Sequence, residues 1–126
     1  MRTDYMNYYK FKKALAMSWA QDTAYHKDAP NWTPENPALG QCAITALLYN
    51  EFFGGKIYSG TSKNGIVHYW NKKNGIKIDL TKQQFKTPLK FNNITFWSRD
   101  ELLKTGNVAE RYNIFKQRVM ENYKHI

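Results

Sequence analysis

Three residues of this chain have types and spacing that could carry chemistry together: Cys42, His68 and Asp79. Cys42 is the only cysteine. It falls between a stretch in which Pro34, Pro37 and Gly40 keep the backbone extended or turning and an apolar run, Ala43-Ile44-Thr45-Ala46-Leu47-Leu48-Tyr49, that contains no helix breaker. That boundary places Cys42 at or near a helix N-terminus, where the partial positive charge of the helix end favours thiolate over thiol and activates the sulfur as a nucleophile. A thiolate attacks an acyl carbonyl; an imidazole takes the thiol proton and later protonates the leaving group; a carboxylate fixes the imidazole tautomer and stabilises its cation. Backbone N–H groups at the start of the Cys42 helix, with the Gln41 side chain, are candidates for binding the developing oxyanion. The order Cys, His, Asp suggests a cysteine hydrolase or acyl transferase acting on an amide, ester or isopeptide. Equally, a lone Cys on an apolar helix reads as a small buried side chain, and a strand His as a satisfied core group. Only geometry separates the two readings.

The elements that must bring His68 to Asp79 are two β-rich runs, Ile66-Val67-His68-Tyr69-Trp70 and Ile76-Lys77-Ile78-Asp79-Leu80. They are separated by Asn71-Lys72-Lys73-Asn74-Gly75, a hairpin signal. With the turn centred between Lys73 and Asn74, His68 and Asp79 are directly opposite, with Cβ atoms ~5 Å apart. With Asn74-Gly75 as a two-residue turn, His68 faces Thr81 and lies diagonal to Asp79, still on one face. A one-residue bulge would put them on opposite faces.

Around this pair the sequence predicts a helix from Tyr5 to about Ala20, with Tyr8, Phe11, Leu15 and Trp19 at helical spacing, and a long irregular loop from Gln21 to Leu39. Gly54-Gly55 should stop the Cys42 helix, Lys56 to Ser59 forms a short strand, and Gly60 to Gly65 a polar turn. Thr81-x-x-Gln84 has the form of a capping box. One more strand spans Asn92 to Trp97, and helix starts follow at Ser98 and Asn107. The last helix puts Val108, Tyr112, Phe115 and Val119 on one face. The expected class is α+β, helices packed on a small antiparallel sheet.

At 126 residues, with 42% hydrophobic and 16% aromatic content, residues 1–126 are expected to form a single domain with a real core. No apolar run approaches the ~20 residues that cross a bilayer, and the first residues lack the apolar core of a secretory signal. One cysteine forms no internal disulfide and suits a reducing cytoplasm. His26, His68 and His125 show no metal-ligand spacing, so no metal and no cofactor is expected. The net charge of +9 comes from 19 Lys plus Arg against 10 Asp plus Glu, spread over several segments. Contact with nucleic acid is compatible with that charge; a solvated basic surface explains it more cheaply.

Other residues have alternative readings. Trp19 and Trp32 could wall a cleft or belong to the core. Asp22 and Thr23 could cap the exit of the first helix or meet substrate. Asn71 could support His68 or serve a turn. Tyr5, Tyr8, Tyr9 and Phe11 among lysines could stack bases, although an aromatic side packed inward accounts for them.

The chain resembles the YunG-like family of small bacterial and phage proteins. The resemblance runs through Ser18-Trp19, Asp22-Thr23, Trp32, Asn36-Pro37-Ala38-Leu39-Gly40-Gln41-Cys42-Ala43-Ile44-Thr45-Ala46, Gly54-Gly55, His68-Tyr69-Trp70-Asn71, Asp79-Leu80-Thr81 and Gln84-Phe85, with Arg111-Tyr112 and Arg118-Val119 beyond. Its Gly-Gln-Cys element also looks like the active-site motif of transglutaminases, members of the papain-like superfamily. The resemblance implies a papain-like fold with Cys42 as nucleophile, His68 as base and Asp79 as orienting acid; the enzyme reading itself expects an acyl substrate, whether peptide, protein or small molecule. Rivals to the enzyme reading are a binding protein on the same scaffold, phage- or defence-related, that sequesters a partner without turnover, and a basic nucleic-acid-binding module.

Overall fold

Helix α2 (Cys42–Phe53) is the element against which the others pack. Eight of its twelve residues, Ala43 to Tyr49 and Phe52, are buried. A helix apolar on nearly all sides can only be central. The computed structural model describes residues 6–126, so the expected helix start at Tyr5 lies outside the described residues. Helix α1 (Tyr8–Ser18) begins at Asn7, whose Oδ1 accepts from the Lys10 N–H at 2.9 Å. Its buried stripe is Phe11, Ala14, Leu15 and Ser18. Helix α3 (Arg99–Leu103) carries the Ser98/Glu101 capping box. Helix α4 (Val108–Lys124) buries Val108, Tyr112, Phe115 and Val119, as expected, together with Arg111.

The sheet contains β1 (Lys56–Ser62), β2 (Val67–Lys73), β3 (Ile76–Ile78) and β4 (Phe91–Trp97), in the order β3-β2-β1-β4 with all pairs antiparallel. The protein is therefore α+β. Strand β1 runs on through Gly60 to Ser62, where a turn was expected, because Gly60 leaves room that a side chain would fill. A Cβ there would stand 2.7 Å from Phe91 Cβ and 2.9 Å from Trp70 Cη2. Strand β4, at the edge, carries a bulge opposite Gly60, with Asn93 at φ 55°.

The hairpin register settles which residues share a face. Asn71 pairs with Ile78 and Lys73 with Ile76, so Asn74-Gly75 is the two-residue turn, both at positive φ. Ile57, Ser59, Tyr69 and Asn71 share the face that packs on α2, since the Asn71 side-chain amide donates to the Ala46 carbonyl at 2.9 Å. Tyr58, Gly60, His68 and Trp70 share the other face. Phe85 and Phe91 fold over its His68 end, and Ile94 and Phe96 further along are exposed.

The segment between α1 and α2 is irregular, with single 3-10 turns at Gln21–Thr23 and Ala29–Asn31. It is nonetheless bound to the core by polar contacts. Asp22 pairs with Arg118 at 2.8 Å, and the Trp32 indole donates to the Pro37 carbonyl at 2.9 Å. Thr81 starts a 3-10 turn without capping it; Gln84 instead reaches back to the Thr81 carbonyl at 3.1 Å. No helix among the described residues is long and apolar enough to cross a membrane.

Gly60 gives a direct test of this packing. Gly60→Ala should destabilise the protein by about 1–3 kcal/mol through overpacking against Phe91 and Trp70, read as a lower midpoint in urea denaturation. An unchanged midpoint would show that the Phe91 segment is not seated on β1 as described.

Candidate active site

Position 42 is where the irregular segment turns into α2. Gly40 stands at φ 76°, and a Cβ there would lie 2.8 Å from the Tyr25 backbone nitrogen, so only glycine lets the Tyr25 strand of chain approach. The Tyr25 N–H donates to the Gly40 carbonyl at 2.9 Å. Cys42 follows as the first residue of α2 and is partly exposed. No side chain caps this helix end. Among the described residues the Cys42, Ala43 and Ile44 N–H groups have no acceptor, which leaves a set of free donors at the positive end of the helix dipole.

His68 and Asp79 meet. His68 Nε2 lies 2.8 Å from Asp79 Oδ2, with the imidazole fully buried and the carboxylate 11% exposed. The other carboxylate oxygen accepts from the Thr81 N–H at 3.3 Å, fixing the group that fixes the ring. Aromatic rings enclose the imidazole: Phe85 edge-on at 5.0 Å, Phe91 stacked at 5.3 Å, and Trp70 at 6.0 Å. His68 Nδ1 is buried and has no hydrogen-bond partner among the described residues. With Nε2 held by Asp79, Nδ1 is the nitrogen left to face the Cys42 sulfur.

The electrostatics of His68 involve the thiol as well. Burial alone would push the His68 pKa down. The Asp79 hydrogen bond and the neighbouring Cys42 sulfur outweigh it and raise the value to about 9. Cys42 also acts on Tyr69, whose pKa is raised first by burial and then by the cysteine. His68 and Tyr69 lie near the edge of β2 that faces β3 and point to opposite faces of the strand, and the one sulfur acts on both. The edge is open at this point because β3 ends at Ile78.

The remaining sequence candidates fall into place differently. Gln41 is fully buried; its amide nitrogen donates to the Ala20 carbonyl at 2.8 Å and the Leu39 carbonyl at 3.3 Å, and its oxygen accepts from Thr23 at 2.8 Å. Its side chain is a brace for the turn before Cys42, with no donor left for an oxyanion. Trp19 is a core residue whose indole donates to Thr45 at 3.0 Å, so it does not wall a cleft. Asn71 points away from His68, to α2. Trp32 is half-buried and ties its own loop to Pro37. A groove of about 520 Å³ opens on the Asp79 side, between Lys77, Lys82, Phe85, Pro88, Leu89 and Phe91. Cys42 does not line it. Among the described residues no three His, Cys, Asp or Glu side chains gather in a way that would hold a metal ion.

Sequence reasoning passed over Tyr69 and Arg111 as site residues, and Cys42 acts on both: it adds to burial in raising the Tyr69 pKa and opposes burial in lowering that of Arg111. For Arg111 there was a signal: it lies three residues after Val108 and four before Phe115, on the apolar stripe of α4.

Comparison with known proteins covers most of the chain. No solved structure matches the chain. A relative from Bacillus subtilis (strain 168), described as "Uncharacterized protein YunG", is 31% identical over 106 residues, covering 84% of this chain and 85% of its own. The family model described as "YunG protein" matches residues 7–124, which takes in Cys42, His68, Asp79 and every element described above. The chain belongs to the YunG family.

Proposed function

We propose that the protein is a thiol-dependent hydrolase or acyl transferase with a papain-like arrangement, in which Cys42 is the nucleophile, His68 the proton carrier and Asp79 the group that orients it. The observation that carries this reading is the buried His68–Asp79 hydrogen bond, with Nδ1 left unpaired and the ring under the influence of the only cysteine. A pKa near 9 keeps His68 protonated at neutral pH, so the imidazolium stands ready to stabilise a thiolate. The thiolate attacks an acyl carbonyl, forming the C–S bond, while the oxyanion takes hydrogen bonds from the free N–H groups of Cys42 and Ala43. His68 then gives its Nδ1 proton to the departing amine or alkoxide as the acyl–N or acyl–O bond breaks. A water or a second nucleophile loses a proton to His68 as it attacks the thioester, and Cys42 leaves as thiolate. The ring nitrogens are used in the opposite sense to the serine protease triad, where Nε2 faces the nucleophile.

Two measurements follow. Cys42→Ser changes little volume and should shift stability by less than about 1 kcal/mol. It should abolish turnover of a chromogenic ester or a peptide amide. Asp79→Asn should fold but turn over about 10²- to 10⁴-fold more slowly, because an amide neither stabilises the imidazolium nor enforces the same tautomer. Thermal melts run beside the assay tell catalysis from architecture: melts that collapse in both variants mean that the polar cluster only holds the fold.

The second concerns pH. The folded pKa of His68 is raised from 6.5 to about 9, so between those values the folded protein binds a proton that the unfolded chain has released. The stabilisation is complete below about 6.5 and is lost as pH rises through about 9, a total on the order of 3 kcal/mol. Urea unfolding across that window should show the loss in wild type and lack it in His68→Asn. A wild-type curve as flat as the variant's would place His68 outside any charged pair.

A further inference from the structure

Arg111 is 5% exposed, on the core-facing stripe of α4. Its Nε donates to Asn107 Oδ1 at 3.0 Å, and its Nη1 to the carbonyls of Thr23 at 3.0 Å and Gly40 at 3.5 Å. No carboxylate among the described residues comes within ion-pair distance of it. A buried guanidinium held only by neutral oxygens is an uncompensated charge, and such charges are costly unless an anion joins them. Nη2 makes no bond to protein among the described residues. It is not a fully buried orphan, since His68 Nδ1 is the only such side-chain nitrogen or oxygen among the described residues.

The guanidinium lies against the turn that leads into the nucleophile. The Gly40 carbonyl that Arg111 holds is two residues from Cys42. Burial pushes the arginine pKa down, and the charges of Cys42 and Asp28 oppose it. Asp28 is the one acid in reach. It stands beyond ion-pair distance, and burial pushes its pKa up, towards the neutral form.

We infer that Arg111 Nη2 is an anion-binding subsite of the Cys42 centre, and that the substrate carries a carboxylate close to its reacting carbonyl. The inference rests on Cys42 being the nucleophile. The net charge of +9 and the lysines Lys77 and Lys82 beside Asp79 favour the approach of such a substrate.

Two alkylating agents of the same size test it, iodoacetate carrying the carboxylate and iodoacetamide lacking it. Each forms an S–C bond at Cys42 as iodide leaves. The ratio of their rates is the readout, because a substitution that merely changes the sulfur's reactivity alters both alike. The ratio of iodoacetate to iodoacetamide should fall by about tenfold or more in Arg111→Gln, the loss of one charge-assisted hydrogen bond. Arg111→Lys should lie between. A ratio unchanged in Arg111→Gln makes Arg111 a brace for the Gly40 turn and overturns the inference while leaving Cys42 as nucleophile. If neither reagent labels wild-type Cys42 faster than the unfolded chain, the nucleophile reading fails and takes this one with it. Should Arg111→Gln not fold, wild type decides: propionate should protect Cys42 from iodoacetamide where propionamide at equal ionic strength does not, and equal protection overturns the inference.

Discussion

The hydrogen bond between His68 and Asp79 is the interaction to which the rest of the site is fitted. A fully buried imidazole in a cage of Phe85, Phe91 and Trp70 would ordinarily be neutral, since desolvation penalises its cation. One carboxylate at 2.8 Å and a sulfur on the other side reverse that balance. The geometry follows from chain features that look incidental. Asn74-Gly75 sets a register in which His68 and Asp79 share a face. The early end of β3 at Ile78 frees Asp79 from the ladder to turn its carboxylate on to the ring. The same early end leaves the edge of β2 open beside His68.

Keeping the cysteine at the start of α2 in register with a strand-borne histidine requires that the loop before it not move, and polar groups provide this. Gln41 spends its whole amide on Ala20, Leu39 and Thr23. Gln84 takes the Gly40 N–H at 3.4 Å and also donates to Thr81, linking the turn before Cys42 to the turn after Asp79. Arg111 binds the Thr23 and Gly40 carbonyls from below. Each of these polar side chains is buried, and a buried polar group is tolerated when its partners are present and is costly otherwise. The network therefore acts as a specification: a displaced loop would strand several groups at once.

Much of this was legible in the sequence, and the failures have common causes. The breaker-to-apolar boundary at Gly40-Gln41-Cys42 located the start of α2 because glycine and proline act locally. The Asn-Gly dipeptide located the hairpin for the same reason. Gln41 was misassigned because its position beside Cys42 suggested contact with substrate, whereas the direction of its side chain depends on Thr23, eighteen residues away. Asn71 was misassigned because β2 runs through it; the pleat then turns it to α2 rather than to His68. Gly60 looked like a turn residue and is a strand residue, since what it accommodates, Phe91, is distant in sequence. Arg111 was passed over because a charge on a helix is read as a surface group unless the apolar stripe is followed through it.

The central claim is that Cys42 and His68 act as one unit on an acyl group. Intact-mass analysis after exposure to an activated acetyl ester tests this most directly. The account predicts a single acetyl group on Cys42, formed quickly and then lost to water, with both steps suppressed in His68→Ala. Acetylation of Cys42 at the same rate in wild type and His68→Ala, or no acetylation beyond that of an unfolded chain, would contradict it.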